Sequence, residues 1–352
     1  MNDQSAYARA GVDIRAGDRA VELMKAHIAA THRPEVLSSP GGFAGFFDAA
    51  ALVHYKHPVL ATSTDGVGTK VAIASATGVY DTVGFDLVAM LVDDLVVVGA
   101  QPLFVTDYIA CGSVIPERIA TIVKGISAAC GQAGVALIGG ETAEHPGLLG
   151  PDEFDLAGAT TGVVEYDDIL GAHLVQPGDR IVCLASSGLH ANGYSLVRHV
   201  LLEQARMNLE TYVEEFGRSL GEELLEPTIV YASGCLAAVR AVTVHAMCHV
   251  TGGGLANNLA RVIPDNLAAE IDRSTWKPAP IFNLVQRLGG ISQPDIEETL
   301  NMGVGMVIIC PDSSLDQVIK LMTTMGISAW DAGVVKRRIE SGMAVQLHSS
   351  YL

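Results

Sequence analysis

Short apolar runs alternate along this chain with longer stretches whose apolar positions recur at helical spacing, and turn residues punctuate the two. That alternation predicts an α/β or α+β fold. Strands are predicted over Val59 to Thr64, Leu103 to Ile109, Val135 to Ile138, Asp155 to Val164, Arg180 to Ala185, Met247 to Thr251 and Gly303 to Cys310. Helices are predicted over Asp81 to Val98, Pro116 to Cys130, Ser195 to Gln204, Tyr231 to Ala241 and Leu315 to Met325. The second of these opens on a proline and is followed by Gly131, the asymmetry expected of helix ends. A boundary falls between Glu165 and Gly178, where an acidic stretch leads to the turn Gln176-Pro177-Gly178-Asp179 and a new strand. Two domains are therefore expected, residues 1–166 and 167–352, since 352 residues exceed what one core usually accommodates.

Composition narrows the class. The chain is 49 % hydrophobic with 37 glycines and only 5 % aromatics, which suits α/β layers with tight strand-to-helix turns better than an all-β sandwich. A formal charge of −17 argues against nucleic acid or an anionic membrane as partner, because either polyanion would be repelled. An anionic small substrate would need local cations. The polar start, Met1 to Ser5, lacks the apolar core of an export signal. No apolar span reaches the roughly 18 residues needed to cross a bilayer, and the nearest, Leu87 to Ala100, is broken by Asp93 and Asp94. Six scattered cysteines without a C-x-x-C pair indicate neither a zinc site nor a disulfide framework, so a cytoplasmic location is expected.

Candidate chemistry concentrates where strands end. Ser63-Thr64-Asp65-Gly66-Val67-Gly68-Thr69-Lys70 combines a carboxylate, hydroxyls, two glycines and a lysine directly after a strand. Gly66 and Gly68 can bring backbone N–H groups close to an anion, Lys70 can supply a point charge, and Asp65 can hold the Mg²⁺ that accompanies a nucleotide. The spacing is not that of a P-loop. Asp86, Asp93 and Asp94 lie in an otherwise apolar helix, where a carboxylate must bind a metal or find local hydrogen bonds or a buried lysine. Gly139-Gly140-Glu141-Thr142-Ala143-Glu144-His145 reads as a turn carrying acidic groups beyond a strand, and Asp107 stands at a similar strand end. Asp65, Asp94 and Glu141 form an all-oxygen set suited to Mg²⁺; zinc would want more nitrogen or sulfur. In the second half, Ser186 to Ser195 and His249 to Leu255 offer hydroxyls, an amide, an imidazole and three successive glycines ahead of helices, a setting for an anionic ligand or simply flexible turns. Neither carries the G-x-S-x-G elbow of a hydrolase.

Six motifs occur in a fixed order: Ala10-Gly11-Val12-Asp13, Ser63 to Lys70, Gly139 to Glu144, Gly188 to Ser195, Thr251 to Gly254, and Gly303-Val304-Gly305-Met306. In this order the chain resembles the phosphoribosylformylglycinamidine cyclo-ligases, or aminoimidazole ribonucleotide synthetases, over nearly its whole length. The resemblance implies a two-domain fold of that family, with an N-terminal sheet that pairs across a homodimer and a C-terminal α/β domain. It implies ATP-dependent closure of an imidazole ring, with Mg²⁺, on formylglycinamidine ribonucleotide. By the same resemblance Asp65, Asp94 and Glu141 take the metal, and Gly66, Gly68, Thr69 and Lys70 take the ATP phosphates. Asp107 supports the nucleotide. His190, Asn192, Ser195, Thr251, Gly252, Gly253 and Gly254 hold the substrate, with His190 the leading acid or base and Lys70 and Asp94 beside it in catalysis.

Three positions depart from the family pattern: Asp93 where asparagine is expected, Gln101 for glutamate, and His145 for methionine. They bear on the metal ligand set. Competing readings are a sister ATP-using enzyme, such as a selenophosphate synthetase, thiamine-phosphate kinase or hydrogenase maturation protein, and a nucleotide-binding regulator without turnover. The cysteine placement argues against the first and third of the sister enzymes, because the earliest cysteine is Cys111 and the chain ends His348-Ser349-Ser350-Tyr351-Leu352.

Overall fold

Asp13 caps the first helix of the described residues, α1 (Ile14–Ala29), its carboxylate accepting from the N–H groups of Arg15 and Ala16. The computed structural model describes residues 13–37, 42, 44–339 and 342–352, so Ala10 to Val12 of the first motif lie outside the described residues. The chain divides into two units, Met1–Leu95 with Pro102–Tyr166, and Val96–Gln101 with Asp167–Leu352.

The first unit is built on a four-stranded sheet in the order β1-β4-β2-β3. Along the chain run β1 (Pro58–Gly66), the short α2 (Val71–Thr77), α3 (Val83–Val96), β2 (Gln101–Cys111), α4 (Pro116–Ala133), β3 (Ala136–Glu144) and β4 (Phe154–Glu165). β1 runs antiparallel to β4 from Pro58↔Glu165 to Gly66↔Ala157, and β2 runs parallel to β3. The core comes from α3 and α4, where Leu87, Val88, Leu91, Ile119, Ile122 and Ile126 are fully buried. These helices match their predicted ranges closely, because a continuous apolar face is a local signal. The Gly139-Gly140 turn expected after a short strand is a correction: β3 continues through it to Glu144, paired from Thr106↔Gly139 to Cys111↔Glu144. Ladder hydrogen bonds to β2 override the turn preference of the glycines, and Glu141 lies within the strand.

The second unit holds a six-stranded sheet in the order β12-β9-β11-β5-β10-β8. Its elements are β5 (Arg180–Ala185), α5 (Tyr194–Arg198, continued by a π-helical turn His199–Gln204), the hairpin β6 (Tyr212–Val213) and β7 (Arg218–Ser219), α6 (Leu220–Leu224), α7 (Ala232–Ala241), β8 (Ala246–His249), α8 (Gly254–Leu259), β9 (Leu267–Asp272), α9 (Pro280–Gly289), α10 (Gln293–Thr299), β10 (Val304–Cys310), α11 (Leu315–Thr324), β11 (Ala329–Arg337) and β12 (Val345–His348). The β10–β5, β10–β8, β11–β5 and β11–β9 pairs are antiparallel, and β12 joins β9 in parallel. Every residue of β10 is buried between β5 and β8.

Elements that the periodicity did not predict include α1, α9, α10, β9, β11 and β12. In β11 a register shift between Asp331 and Gly333 breaks the alternation of faces, which hides the strand from a period-two pattern. α1 buries only Ala20 and Met24 along a stripe crowded by charged neighbours. No helix among the described residues is long and apolar enough to cross a membrane.

Candidate active site

In the first unit Asp65 lies next to last in β1, half-buried, and its Oδ1 accepts from the N–H of Gly66, the final residue of the strand, at 2.7 Å. Gly68 and Thr69 are exposed, and Gly68 takes φ of +69°, a backbone conformation that glycine tolerates best. Lys70 departs from the expectation of a point charge presented to phosphates. Its ammonium is wholly buried and donates to Asp86 Oδ1 at 2.8 Å, with both side chains 0 % exposed. A lone charge there would cost several kcal/mol, so the two opposite charges compensate each other and tie the loop to α3. The buried-lysine alternative for the α3 carboxylates thus holds for Asp86.

On the same helix Asp93 is fully buried while Asp94 is half-buried, so Asp94 is the one of the two that reaches the surface. Glu141 is exposed on β3, opposite Tyr108 in the ladder. Among the described residues, no group of three or more His, Cys, Asp or Glu side chains gathers to hold a metal. The expected set of Asp65, Asp94 and Glu141 is therefore not assembled as a cage.

A cavity of about 330 Å³ lies in this unit between α1 and β3. Ala20, Val21, Met24 and Ile28 of α1 form its apolar side, and His32, Asp107, Glu141 and Thr142 bring polar groups to it. The His32 Nε2 is buried there without a hydrogen-bond partner. Burial pushes the Asp107 carboxyl from 3.8 up to about 7. Although the residue as a whole is only half-buried, its carboxyl oxygen lies where any side chain at Gly140 would have to go. Gly140 is thus in close approach to the Asp107 carboxyl within the strand, where the sequence suggested a turn. His32 and α1 escaped the sequence reading; the i, i+4 series Ala20, Met24, Ile28 is the signal that points to them.

Glu144 accepts from the N–H groups of Asp13 at 2.8 Å and Val114 at 2.6 Å, anchoring the start of α1 and the lead-in to α4. His145 shares a 2.9 Å hydrogen bond between its Nε2 and the Tyr108 hydroxyl.

In the second unit the loop after β5 folds back on itself. Ser186 Oγ donates to Gly188 O at 2.8 Å, Ser187 Oγ donates to Pro227 O at 2.6 Å, and the Ser187 N–H donates to His190 Nε2 at 3.2 Å. His190 has φ of +62° and is 1 % exposed, and its ring lies with the Tyr231 hydroxyl over Gly305, leaving no room there for a Cβ. The ring is buried and accepts from the backbone of its own loop. Asn192 is half-buried, with its Oδ1 3.6 Å from the position a Cβ at Gly252 would take, so the two glycine-bearing loops are neighbours. Ser195 is exposed on the first turn of α5, and Gly252 is exposed at the tip of its loop. Asn258 Nδ2 fans across that loop, donating to the carbonyls of Thr251, Gly252 and Gly254 at 2.8–3.2 Å. Gln101, the remaining departure, accepts from Arg240 in this unit.

Two family models match the chain: the AIR synthase related protein N-terminal domain over residues 47–164 and its C-terminal domain over residues 176–345. The chain belongs to the AIR synthase related family. Among curated members of this AIR synthase group, the phosphoribosylformylglycinamidine cyclo-ligase of Geobacillus sp. (strain WCH70) is 48 % identical over 94 % of this chain and 96 % of its own. The enzyme of the same name from Syntrophotalea carbinolica is 47 % identical over 97 % and 98 %. Among solved structures, thiamine-monophosphate kinase from Stenotrophomonas maltophilia K279a superposes with a TM-score of 0.69 at 20 % identity, covering 95 % of this chain and 97 % of that one. Hydrogenase maturation protein HypE in complex with ATP gives 0.64 at 18 %, covering 95 % and 91 %. These structures share the fold.

Two outcomes follow from the buried groups. Lys70→Met should lower unfolding stability by about 3–5 kcal/mol in chemical denaturation, because it removes the opposite charge beside the buried Asp86 carboxylate, and adding Asp86→Leu should restore most of the loss. Asp107 holds a proton in the folded chain that the unfolded chain has already released between pH 3.8 and about 7. Its contribution is therefore intact below that window and is lost as pH rises through it. Asp107→Asn should flatten this fall in a pH series of thermal unfolding midpoints; an unchanged slope would remove Asp107 as its source.

Proposed function

We propose that this chain is the ATP-dependent cyclo-ligase of purine biosynthesis that converts formylglycinamidine ribonucleotide to aminoimidazole ribonucleotide, ADP and phosphate. The observation that carries the reading is the likeness to cyclo-ligases over nearly the whole chain, both family domains included. The chemistry needs an amide oxygen made into a leaving group. Attack of the formyl amide oxygen on the γ-phosphorus of ATP breaks the bond to the β-phosphate oxygen and releases ADP. The amidine nitrogen then attacks the activated carbon, loses a proton, and expels phosphate as the ring closes. Such a sequence depends chiefly on positioning and charge neutralisation.

In the first unit, the exposed Gly68 and Thr69 offer backbone and hydroxyl donors to phosphates, with Gly66 behind them, and the Lys70–Asp86 pair holds that loop in place. The cavity between α1 and β3 suits the nucleoside: its apolar wall matches a base, and Asp107 and His32 supply polar contacts. Magnesium is commonly held by one or two carboxylates together with substrate phosphates and water, the arrangement proposed for a metal that arrives with ATP. Asp94 and Asp65 would hold it, with Glu141 nearer the nucleoside cavity, and when bound it would neutralise phosphate charge. In the second unit, Asn192, Ser195 and the Thr251 to Gly254 loop receive the substrate's ribose phosphate and amide, and His190 keeps the first loop in shape.

The reading extends to a cytoplasmic homodimer joined through the first unit. β1 lies at an end of the sheet order, and its residues alternate in exposure with Leu60 61 % exposed, a face suited to a second copy. Six buried free cysteines suit a reducing compartment.

The direct test supplies formylglycinamidine ribonucleotide with Mg²⁺ and ATP and measures aminoimidazole ribonucleotide. ATP binding without product would favour a regulator, and turnover of another acceptor a sister enzyme. Asp94→Ala should lower ring closure well beyond the roughly tenfold change that Asp93→Asn produces, since buried Asp93 acts at most through its neighbours. Equal losses in the two folded variants would overturn that division of roles. Sedimentation at micromolar concentration should give a dimer; an active monomer would refute the assembly.

A further inference from the structure

The connector between α10 and β10, Leu300 to Gly303, touches both candidate substrate loops of the second unit. At its centre Asn301, 5 % exposed, uses every hydrogen-bonding direction of its amide. Its Nδ2 donates to Gly188 O at 2.9 Å and to Leu189 O at 3.2 Å. Its Oδ1 accepts from the N–H of Gly303 at 2.8 Å and, at 3.2 Å, shares with Gly188 O the single hydroxyl proton of Ser186. The Ser186 N–H in turn donates to Gly303 O at 3.0 Å. One side chain therefore holds the loop after β5 at three positions, Ser186, Gly188 and Leu189.

The same connector reaches the other loop. At Gly254 the Glu297 carbonyl of α10 leaves no room for a side chain and the Leu300 carbonyl is also close, while the Leu300 side chain fills the space over Gly193 at the end of the loop after β5. Its backbone is bent to do so: Met302 takes φ of +49° and Gly303 of +94°. A left-handed conformation at a non-glycine residue costs stability and persists only where its surroundings hold it. Here the Asn301 Oδ1 bond to Gly303 and the Trp276 Nε1 bond to Met302 O, 2.9 Å, supply that hold.

The geometry points to Asn301 as a positioning residue: through its four hydrogen bonds it sets the shape of the Ser186 to Asn192 loop and, with Leu300, its fit against the Thr251 to Gly254 loop, and so sets affinity for the phosphoribosyl substrate. The assignment rests on the reading that these loops receive that substrate. Asn301→Asp keeps the shape of the side chain but replaces two donors by an oxygen facing two carbonyls.

In the full-length Asn301→Asp protein, the KM for formylglycinamidine ribonucleotide should rise by about tenfold or more, the scale of a lost buried hydrogen bond, while the KM for ATP stays unchanged. Amide hydrogen exchange at residues 187–191 should quicken by a similar factor. A folded variant with wild-type exchange in that loop, or with both KM values raised alike, would overturn the assignment. If Asn301→Asp does not fold, Ser186→Ala, which removes the hydroxyl shared between Asn301 Oδ1 and Gly188 O, should give a smaller change of the same kind in both readouts, and its absence would be equally decisive. If the wild-type protein forms no aminoimidazole ribonucleotide, the functional reading fails, and the exchange measurement still decides whether Asn301 sets the loop.

Discussion

A polar group withdrawn from water must find a partner or leave the fold less stable, and the candidate loops of both units are organised around that requirement. Loops that approach a small anionic ligand need irregular backbone, and irregular backbone leaves carbonyls and N–H groups outside any ladder. In this chain a few buried polar side chains satisfy them from behind. Asn258 collects three carbonyls of the glycine loop, Asn301 collects two carbonyls and an N–H beside the loop after β5, and Glu144 takes two N–H groups around α1 and α4. The exposed atoms of each loop are thereby left for ligand.

The same constraint explains why two residues with catalytic appearance turn inward. Lysine and histidine near glycine-rich turns suggest charge and proton transfer. Lys70 compensates Asp86 inside the first unit, and His190 accepts from Ser187 beneath its own loop. In a protein with a formal charge of −17, the proposed function would then rely on backbone donors, hydroxyls and an accompanying cation for phosphate more than on lysine. Asp107 makes the complementary case. Enclosure raises its carboxyl to about 7, so near neutrality it can donate as well as accept a hydrogen bond.

Much of the architecture was legible beforehand because its signals are local. α3 and α4 carry continuous apolar faces, β5 and β10 are short apolar runs bounded by turns, and a proline–glycine turn precedes the second sheet. Signals failed where a neighbour outweighed them. The Gly139-Gly140 pair reads as a turn in isolation, yet β2 draws it into a strand and Asp107 fills the space that a side chain would need. β11 hides behind its bulge, and α1 behind a narrow apolar stripe.

By itself the sequence determined the fold class, the family, and which short segments carry chemistry, since motif order and periodicity are properties of neighbouring residues. Tertiary structure alone decided which atoms of those segments face outward. Lys70 meets Asp86 from 16 positions away, and Asn301 meets Gly188 from 113. Partners so far apart are selected by packing and by the cost of burying an unsatisfied charge or amide, and no local pattern in the chain encodes that choice.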